Sequence, residues 1–348
     1  MPRVLIVRLG ALGDVVHAIP VAAALRRAQP DTRIDWVVGA RHQEILTLVP
    51  AVTTVVSVRE RGGAADGLSF PRAIARLRRA RYDVVLDLQG LVKSAVIARA
   101  SGARRVIGFS RKYLREPLAA PFYSEHYDPG GAGIYAPSET RHVVTINLGM
   151  LAALGIESAV PEFPFTTLPS TVADLMREVT GGRYALLNPG AAWPNKRWPP
   201  ERLAGLARAL RDRHALRSVV LWGPGERDLA ESVVATSDGA AVMTPETRIA
   251  DVLALARGAA VMVSGDTGPT HIGAAVGVPL VGIYGPTRPE RNGPWRPDDV
   301  TVSRAAQCEC HHLRRCRAAR WCLLDVQVDE VLAAVERRLA ATNAASRC

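Results

Sequence analysis

V-M-V-S-G-D-T-G-P-T-H-I-G-A-A-V-G-V-P, residues 261–279, is the stretch from which the rest of the chain can be read. Its β-branched opening predicts a short buried strand, G-D-T-G at 265–268 a tight turn, and residues 271–276 a helix whose small side chains pack closely on a sheet. The first free backbone N–H groups of such a helix point into the turn and carry about half a positive elementary charge. The junction therefore suits an anion, above all a phosphate. Thr267 and Thr270 offer hydroxyl donors to the same place, while His271, one turn into an apolar helix, reads equally as a phosphate ligand or as a satisfied core histidine. An ordinary strand-to-helix junction with glycine turn chemistry has the same sequence. Lys196 adds the specific element. It sits in G-A-A-W-P-N-K-R-W-P, residues 190–199, a second loop after a second strand, and two such loops on neighbouring strand ends can hold a diphosphate between them.

Working outward, strands and helices alternate on both sides of these loops. Upstream in this half, strands are expected at 184–187, 219–222 and 241–243 and helices at 203–210, 229–234 and 249–256; downstream, a strand is expected at 280–284 and a terminal amphipathic helix at 328–339. Pro161, Pro164 and Pro169 mark a linker, and a second alternating series precedes it. That series has strands at 4–7, 34–38, 55–58, 84–88 and 106–107, and helices at 70–80, 91–100 and 142–154. Such alternation implies parallel sheets covered on both faces. The chain is therefore read as α/β, with two Rossmann-like domains over residues 1–165 and 166–348, their parallel sheets facing a central cleft.

The first strand runs into R-L-G-A-L-G-D, residues 8–14, and then an apolar helical stretch in which Pro20 either kinks the helix or sits in its first turn. A dinucleotide fingerprint needs a third glycine that this loop lacks. Instead the loop places Asp14 at a helix start, where an isolated aspartate is most often an N-cap. Residues 108–137 read as irregular and rich in Gly, Pro, Tyr and Arg, of the kind usually reserved for binding. Arg104, Arg105, Arg111, Lys112 and Arg115 crowd its start, either as a solvated basic face or as an anion-binding one.

At 348 residues, 48% hydrophobic and 22% charged, the chain is long enough for two cores and too apolar for general disorder. The net charge of +11 favours anionic partners, be they phosphorylated small molecules, nucleic acid or an anionic membrane surface. Only 5% of residues are aromatic and the basic residues are not in general interleaved with them, which argues against a nucleic-acid-binding protein, the rival of another class. Arg3, Arg8 and Asp14 break the N-terminal apolar stretch, so no signal peptide is expected, and no run reaches the roughly eighteen apolar residues of a membrane span. Cys308, Cys310, His311, His312, Cys316 and Cys322 are soft ligands, but their spacing lacks the paired C-x2-C of common zinc modules. They are read as reduced thiols, with no metal expected.

Taken in order, R-L-G-A-L-G-D, D-L-Q-G-L-V-K-S-A at 87–95, K-R-W-P at 196–199, G-D-T-G-P-T-H-I-G-A-A at 265–275 and Y-G-P-T at 284–287 resemble glycosyltransferase family 9, the lipopolysaccharide heptosyltransferases. The resemblance covers nearly the whole chain. It implies a GT-B fold, an ADP-heptose donor on the C-terminal domain, a Kdo-lipid A inner-core acceptor on the N-terminal one, and inversion at the anomeric carbon without a metal or other cofactor. It also implies a cytoplasmic protein lying peripherally on the inner face of the bacterial inner membrane.

Residue by residue, the resemblance makes Asp14 the general base and Lys196 the donor-phosphate lysine, with Ala191, Ala192, Asp266, Thr267, Gly268 and His271 around the phosphates. Glu226, in W-G-P-G-E, matches the acid that reaches the ribose, though an exposed acid at a helix start has the same look; Thr247 falls near the adenine. Gly13, Lys93, Arg111, Lys112 and Arg115 fall on the acceptor side, where Lys93 also reads as a solvated lysine. D-L-Q-G-L-V-K-S-A and R-E-P-L-A at 115–119 look like heptosyltransferase I. Ala191 and Ala192, where that subgroup carries hydroxyl residues, and K-R-W-P look closer to heptosyltransferase II. Another nucleotide-sugar transferase on the same fold is the remaining alternative within enzymes.

Overall fold

The computed structural model describes residues 1–59, 67–157, 160–310, 313, 314, 316 and 320–345. The chain divides into two compact units, Met1–Thr166 and Thr167–Cys348. The first contains β1 (Arg3–Val7), β2 (Arg33–Gly39), β3 (Thr54–Val58), β4 (Val84–Asp87), β5 (Arg105–Phe109) and β6 (Glu125–Tyr127) in one six-stranded sheet of order β3-β2-β1-β4-β5-β6. The second contains β7 (Tyr184–Asn188), β8 (Arg217–Val220), β9 (Ala241–Met243), β10 (Val261–Gly265), β11 (Leu280–Tyr284) and β12 (Val300–Ser303), ordered β12-β11-β10-β7-β8-β9. Every neighbouring pair in both sheets is parallel.

Because helices cover both faces of a parallel sheet, its central strands are apolar throughout. Leu5, Ile6 and Val7 of β1 and Val261, Met262 and Val263 of β10 are fully buried. Helix Pro200–His214 and the terminal helix Val328–Ala345 close one face of the second sheet, with Leu203, Leu206, Leu210, Val331 and Val335 in a core shared with Leu187, Val263 and Ile283. Each such fully buried Leu, Ile or Val contributes about 1.5–3 kcal/mol. Among the described residues no helix is long and apolar enough to cross a membrane.

Several elements depart from the sequence reading. The helix after β10 starts at Gly268 rather than His271, because Pro269 needs no N–H in a first turn and fits there. Of the two readings of Pro20 the first-turn one holds, but in a separate helix, Ile19–Ala28. The stretch 142–154 is a helix Val143–Gly149 that tightens into the 3-10 turn Met150–Leu154 before Gly155, whose positive φ of 72° ends it. Residues 108–137 are not wholly irregular, since they include β6 at the edge of the first sheet. Strand β12 and helix Thr171–Thr180, capped by the Ser170 hydroxyl on the Ala173 N–H at 3.1 Å, were not expected at all.

Candidate functional site

In each sheet the strand order reverses beside the first strand, between β1 and β4 and between β7 and β10, and the crevice outside the carboxyl ends of such strands is where open α/β sheets bind ligands. Register brings those ends level: Ser264 lies beside Asn188 and Val7 beside Asp87.

In the second unit the loop after β7 passes Ala191, which is buried, and Ala192, which is exposed, then forms the 3-10 turn Pro194–Lys196. Lys196 Nζ donates to Asp266 Oδ2 at 2.5 Å and stands 4.3 Å from the centre of the Trp193 ring. His271 Nε2 lies 3.1 Å from the other carboxylate oxygen, Oδ1. Asp266 thus holds a cation and an imidazole at the start of helix Gly268–Val276 and is itself 7% exposed. Burial alone would push this carboxyl up. The His271 hydrogen bond and the Lys196 charge outweigh it and hold the group well below the usual carboxylate range. The His271 ring is buried and engaged with Asp266 through Nε2.

A depressed pKa in the folded state stabilises the fold fully above the ordinary carboxylate value of 3.8, and that stability is lost as pH falls from there through the folded value. Asp266→Asn should therefore unfold at lower urea than the parent at neutral pH. The gap should narrow below about pH 4; a gap constant down to acid pH would show that ionisation of Asp266 is not what stabilises this turn.

One close approach explains a glycine here: a Cβ on Gly265 would lie 2.8 Å from the Lys196 backbone carbonyl oxygen. Glu226 stands at the start of helix Arg227–Thr236. It is half-buried rather than exposed, folded back so that Oε2 accepts from the Gly223 N–H at 3.2 Å. Thr247 lies half-buried in the loop between β9 and helix Ile249–Gly258. Thr270 corrects the sequence reading: it is 1% exposed and its hydroxyl binds Ser264 Oγ at 2.6 Å and the Gly265 carbonyl, so it serves the turn internally.

Asn188 was missed. Its Nδ2 donates to Ser264 Oγ and Thr267 Oγ1, both at 3.0 Å, tying the end of β7 to the turn after β10. Its only sequence signal is an amide at the end of an otherwise apolar strand.

In the first unit Asp14 is the third residue of helix Leu12–Val16, whose N-cap is Ala11 without a side-chain cap. Asp14 is therefore not the N-cap that its position first implies. Instead Arg8 Nη2 pairs with Asp14 Oδ1 at 2.8 Å, with side chains 8% and 25% exposed. Arg8 Nη1 also donates to the Leu88 carbonyl. Gln89 Oε1 accepts from the Leu9 N–H at 2.9 Å, so the loops after β1 and β4 are cross-linked by Arg8 and Gln89. Beneath them Asp87 is fully buried, which pushes its carboxyl up against hydrogen bonds from the Gln89 N–H, Ser94 Oγ and Tyr123 OH. Arg8, Asp87 and Gln89 went unassigned although each lies inside a motif quoted above.

Gly13 is buried beside Asp14, and Lys93 is exposed in the first turn of helix Val92–Ala100. Two basic side chains of the segment 104–115 are paired with carboxylates. Arg105 forks onto Glu125 through two bonds of 2.7 Å, and Lys112 pairs with Asp128 at 3.0 Å. Arg104, Arg111 and Arg115 are exposed and unpaired among the described residues. In the cysteine-rich stretch His311 and His312 lie outside the described residues. Among those described, no three His, Cys, Asp or Glu side chains are grouped to hold a metal ion.

The family model described as glycosyltransferase family 9 (heptosyltransferase) matches residues 71–322. Lipopolysaccharide heptosyltransferase 1 of Pseudomonas aeruginosa is 34% identical over 321 residues, 88% of this chain and 85% of that protein. Heptosyltransferase WaaC of Escherichia coli, solved with ADP, superimposes with a TM-score of 0.71 at 25% identity, over 97% of this chain and 98% of that one. The same enzyme solved with ADP-2-deoxy-2-fluoro heptose gives 0.72 at 26% identity, over 96% and 99%.

Proposed function

The chain belongs to glycosyltransferase family 9, and from that premise we propose that it moves heptose from ADP-heptose to the Kdo-bearing lipid A inner core of lipopolysaccharide, inverting the anomeric carbon without a metal. The family and the two-Rossmann-unit α/β fold of GT-B heptosyltransferases are shared with its relatives; donor, acceptor and residue roles are the proposal.

The observation that carries it is Lys196, fixed by Asp266 beside the start of helix Gly268–Val276 at the crossover of the second sheet. In the reaction the acceptor hydroxyl oxygen bonds to the anomeric carbon as the bond from that carbon to the diphosphate breaks. Asp14 takes the hydroxyl proton, and Arg8 holds the Asp14 carboxylate in place by the 2.8 Å pair. Lys196 and the helix N–H groups meet the charge that grows on the departing diphosphate, a preorganised electrostatic role. Glu226 and Thr247 take the ribose and adenine, Ala191 and Ala192 leave backbone N–H groups to the phosphates, and Thr267 adds its hydroxyl. Of the two acceptor readings, the 34% identity to a heptosyltransferase 1 favours addition of the first heptose.

A thermal-shift ranking tests the donor: ADP-heptose should stabilise the protein more than UDP or GDP sugars do, and a UDP or GDP sugar at the head of the ranking would overturn the assignment. Chelator treatment should leave turnover nearly intact, whereas a loss restored by magnesium or manganese would defeat the metal-free mechanism.

On the acceptor side, Arg111, Lys112 and Arg115 with Lys93 meet the anionic head groups, so the protein works as a peripheral visitor to the cytoplasmic leaflet. Replacing Arg111, Lys112 and Arg115 together by Gln should raise the acceptor KM about five- to thirtyfold at low salt and flatten its salt dependence. Arg111 and Arg115, unpaired among the described residues, carry more of this effect than Lys112, which Asp128 already neutralises. A changed donor KM with an unchanged acceptor KM would count against this face.

A further inference from the structure

Four cysteines of the second unit gather after β12, and the proposed transfer reaction uses none of them. Cys310 Sγ lies 2.8 Å from Cys316 Sγ. Cys308 Sγ accepts from the Cys310 backbone N–H at 3.4 Å and is hydrogen-bonded to Cys322. Burial, helped by Cys308 and Cys316, pushes the Cys322 thiol up to about 12, so it carries little thiolate and little reactivity at neutral pH. Cys310 is buried, while Cys316 is half-buried and opens on a cavity of about 270 Å³ that Arg304 and Arg320 also line. Both arginines are paired with carboxylates, Glu330 and Asp325. Leu313, between these two cysteines in sequence, is tied to the turn that carries Lys196. The Leu313 carbonyl accepts from Asn195 Nδ2 at 3.0 Å, and Asn195, 3% exposed, is the residue before Lys196.

We propose that Cys310 and Cys316 form a redox-convertible dithiol whose oxidation to a disulfide fixes Leu313 and, through Asn195, the turn that presents Lys196. Hydrogen peroxide oxidises the Cys316 thiol to a sulfenic acid and releases one water. The Cys310 sulfur then attacks the Cys316 sulfur, forms the S–S bond and expels a second water. Two thiols lose two electrons to one peroxide, and a dithiol reductant reverses the change. The sulfurs lie close enough that bonding at about 2.05 Å needs little backbone movement, so the Asn195–Leu313 contact persists in the oxidised form. A turn held in its binding conformation loses less freedom when a diphosphate arrives, so oxidation tightens binding.

The coupling half of this proposal rests on the reading of Lys196 as the diphosphate lysine. The full chain, reduced or treated with hydrogen peroxide, is alkylated, digested and mapped by mass, and ADP is titrated against both forms. The map should show a Cys310–Cys316 link that dithiothreitol removes and that Cys316→Ser abolishes. Oxidised protein should bind ADP at least about fivefold more tightly than reduced protein, the lower end of ordinary coupling between sites. Asn195→Ala should keep the link and lose the difference. A link between other cysteines, sulfinic acid at Cys316 in place of a link, or a stoichiometric metal on these thiols in the purified protein would overturn the proposal. Equal ADP affinity in both forms overturns the coupling alone when Lys196→Met still weakens ADP. If Lys196→Met leaves ADP binding unchanged, the donor reading falls and the coupling with it, while the mapped link still decides the dithiol.

Discussion

Asp14→Asn should lower kcat by roughly 10²- to 10⁴-fold, the usual contribution of a positioned general base. Asparagine keeps the shape and one oxygen acceptor but cannot take the proton of the acceptor hydroxyl. The donor Kd should stay near the parent's, because the residues proposed to hold the nucleotide belong to the other unit. Stability is a separate matter. Asp14 pairs with Arg8, whose side chain is 8% exposed, and removing the anion leaves a largely buried guanidinium without that partner. The melting temperature should therefore drop. That drop is the whole effect if Asp14 serves only as an ion-pair partner. Measuring kcat well below the melting point separates the two roles: a value within a few-fold of the parent would sink the catalytic role and the mechanism with it.

Lys196→Met should lower kcat by about 10²- to 10³-fold, as removal of one preorganised donor to a transition-state anion does, and should weaken ADP binding as well. Again structure and chemistry must be disentangled. The Lys196–Asp266 pair has side chains 14% and 5% exposed, and breaking such a pair from one side costs about 3–5 kcal/mol because it leaves Asp266 ionised and short of a cation. The double variant Lys196→Met with Asp266→Asn removes both charges and should recover much of the stability without recovering turnover. If turnover returns along with stability, Lys196 was holding the turn rather than the leaving group.

The fold was largely legible because buried parallel strands advertise themselves as short β-branched runs. Leu280–Tyr284 was found to the residue and Val261–Gly265 at its start, two residues short at its end, and glycines and prolines marked where most helices begin and end. What escaped lay at the sheet edges. β6 is only Glu125–Tyr127, a polar, partly exposed strand whose pairing with Phe109 and its neighbours, rather than its own composition, makes it a strand. β12 and the helix Thr171–Thr180 did carry signals, an alternating V-T-V-S and a serine N-cap, that the reading passed over.

The site divides the same way. By itself the sequence determined that a lysine-bearing loop and a glycine turn followed by a helix stand after two strands, and that an acid follows the first strand; these depend on local backbone preference and on residue type. Tertiary structure alone decided that β7 and β10, far apart in sequence, are neighbours, so that Lys196 reaches an aspartate 70 residues away. It also gave His271 to Asp266, turned the Thr270 hydroxyl inward, paired Asp14 with Arg8, and set Arg105 and Lys112 on carboxylates instead of in an open basic face. The reason is physical. A polar side chain that leaves water needs a partner, and which partner stands within 3 Å or so depends on strand order and register, which no single stretch of sequence contains.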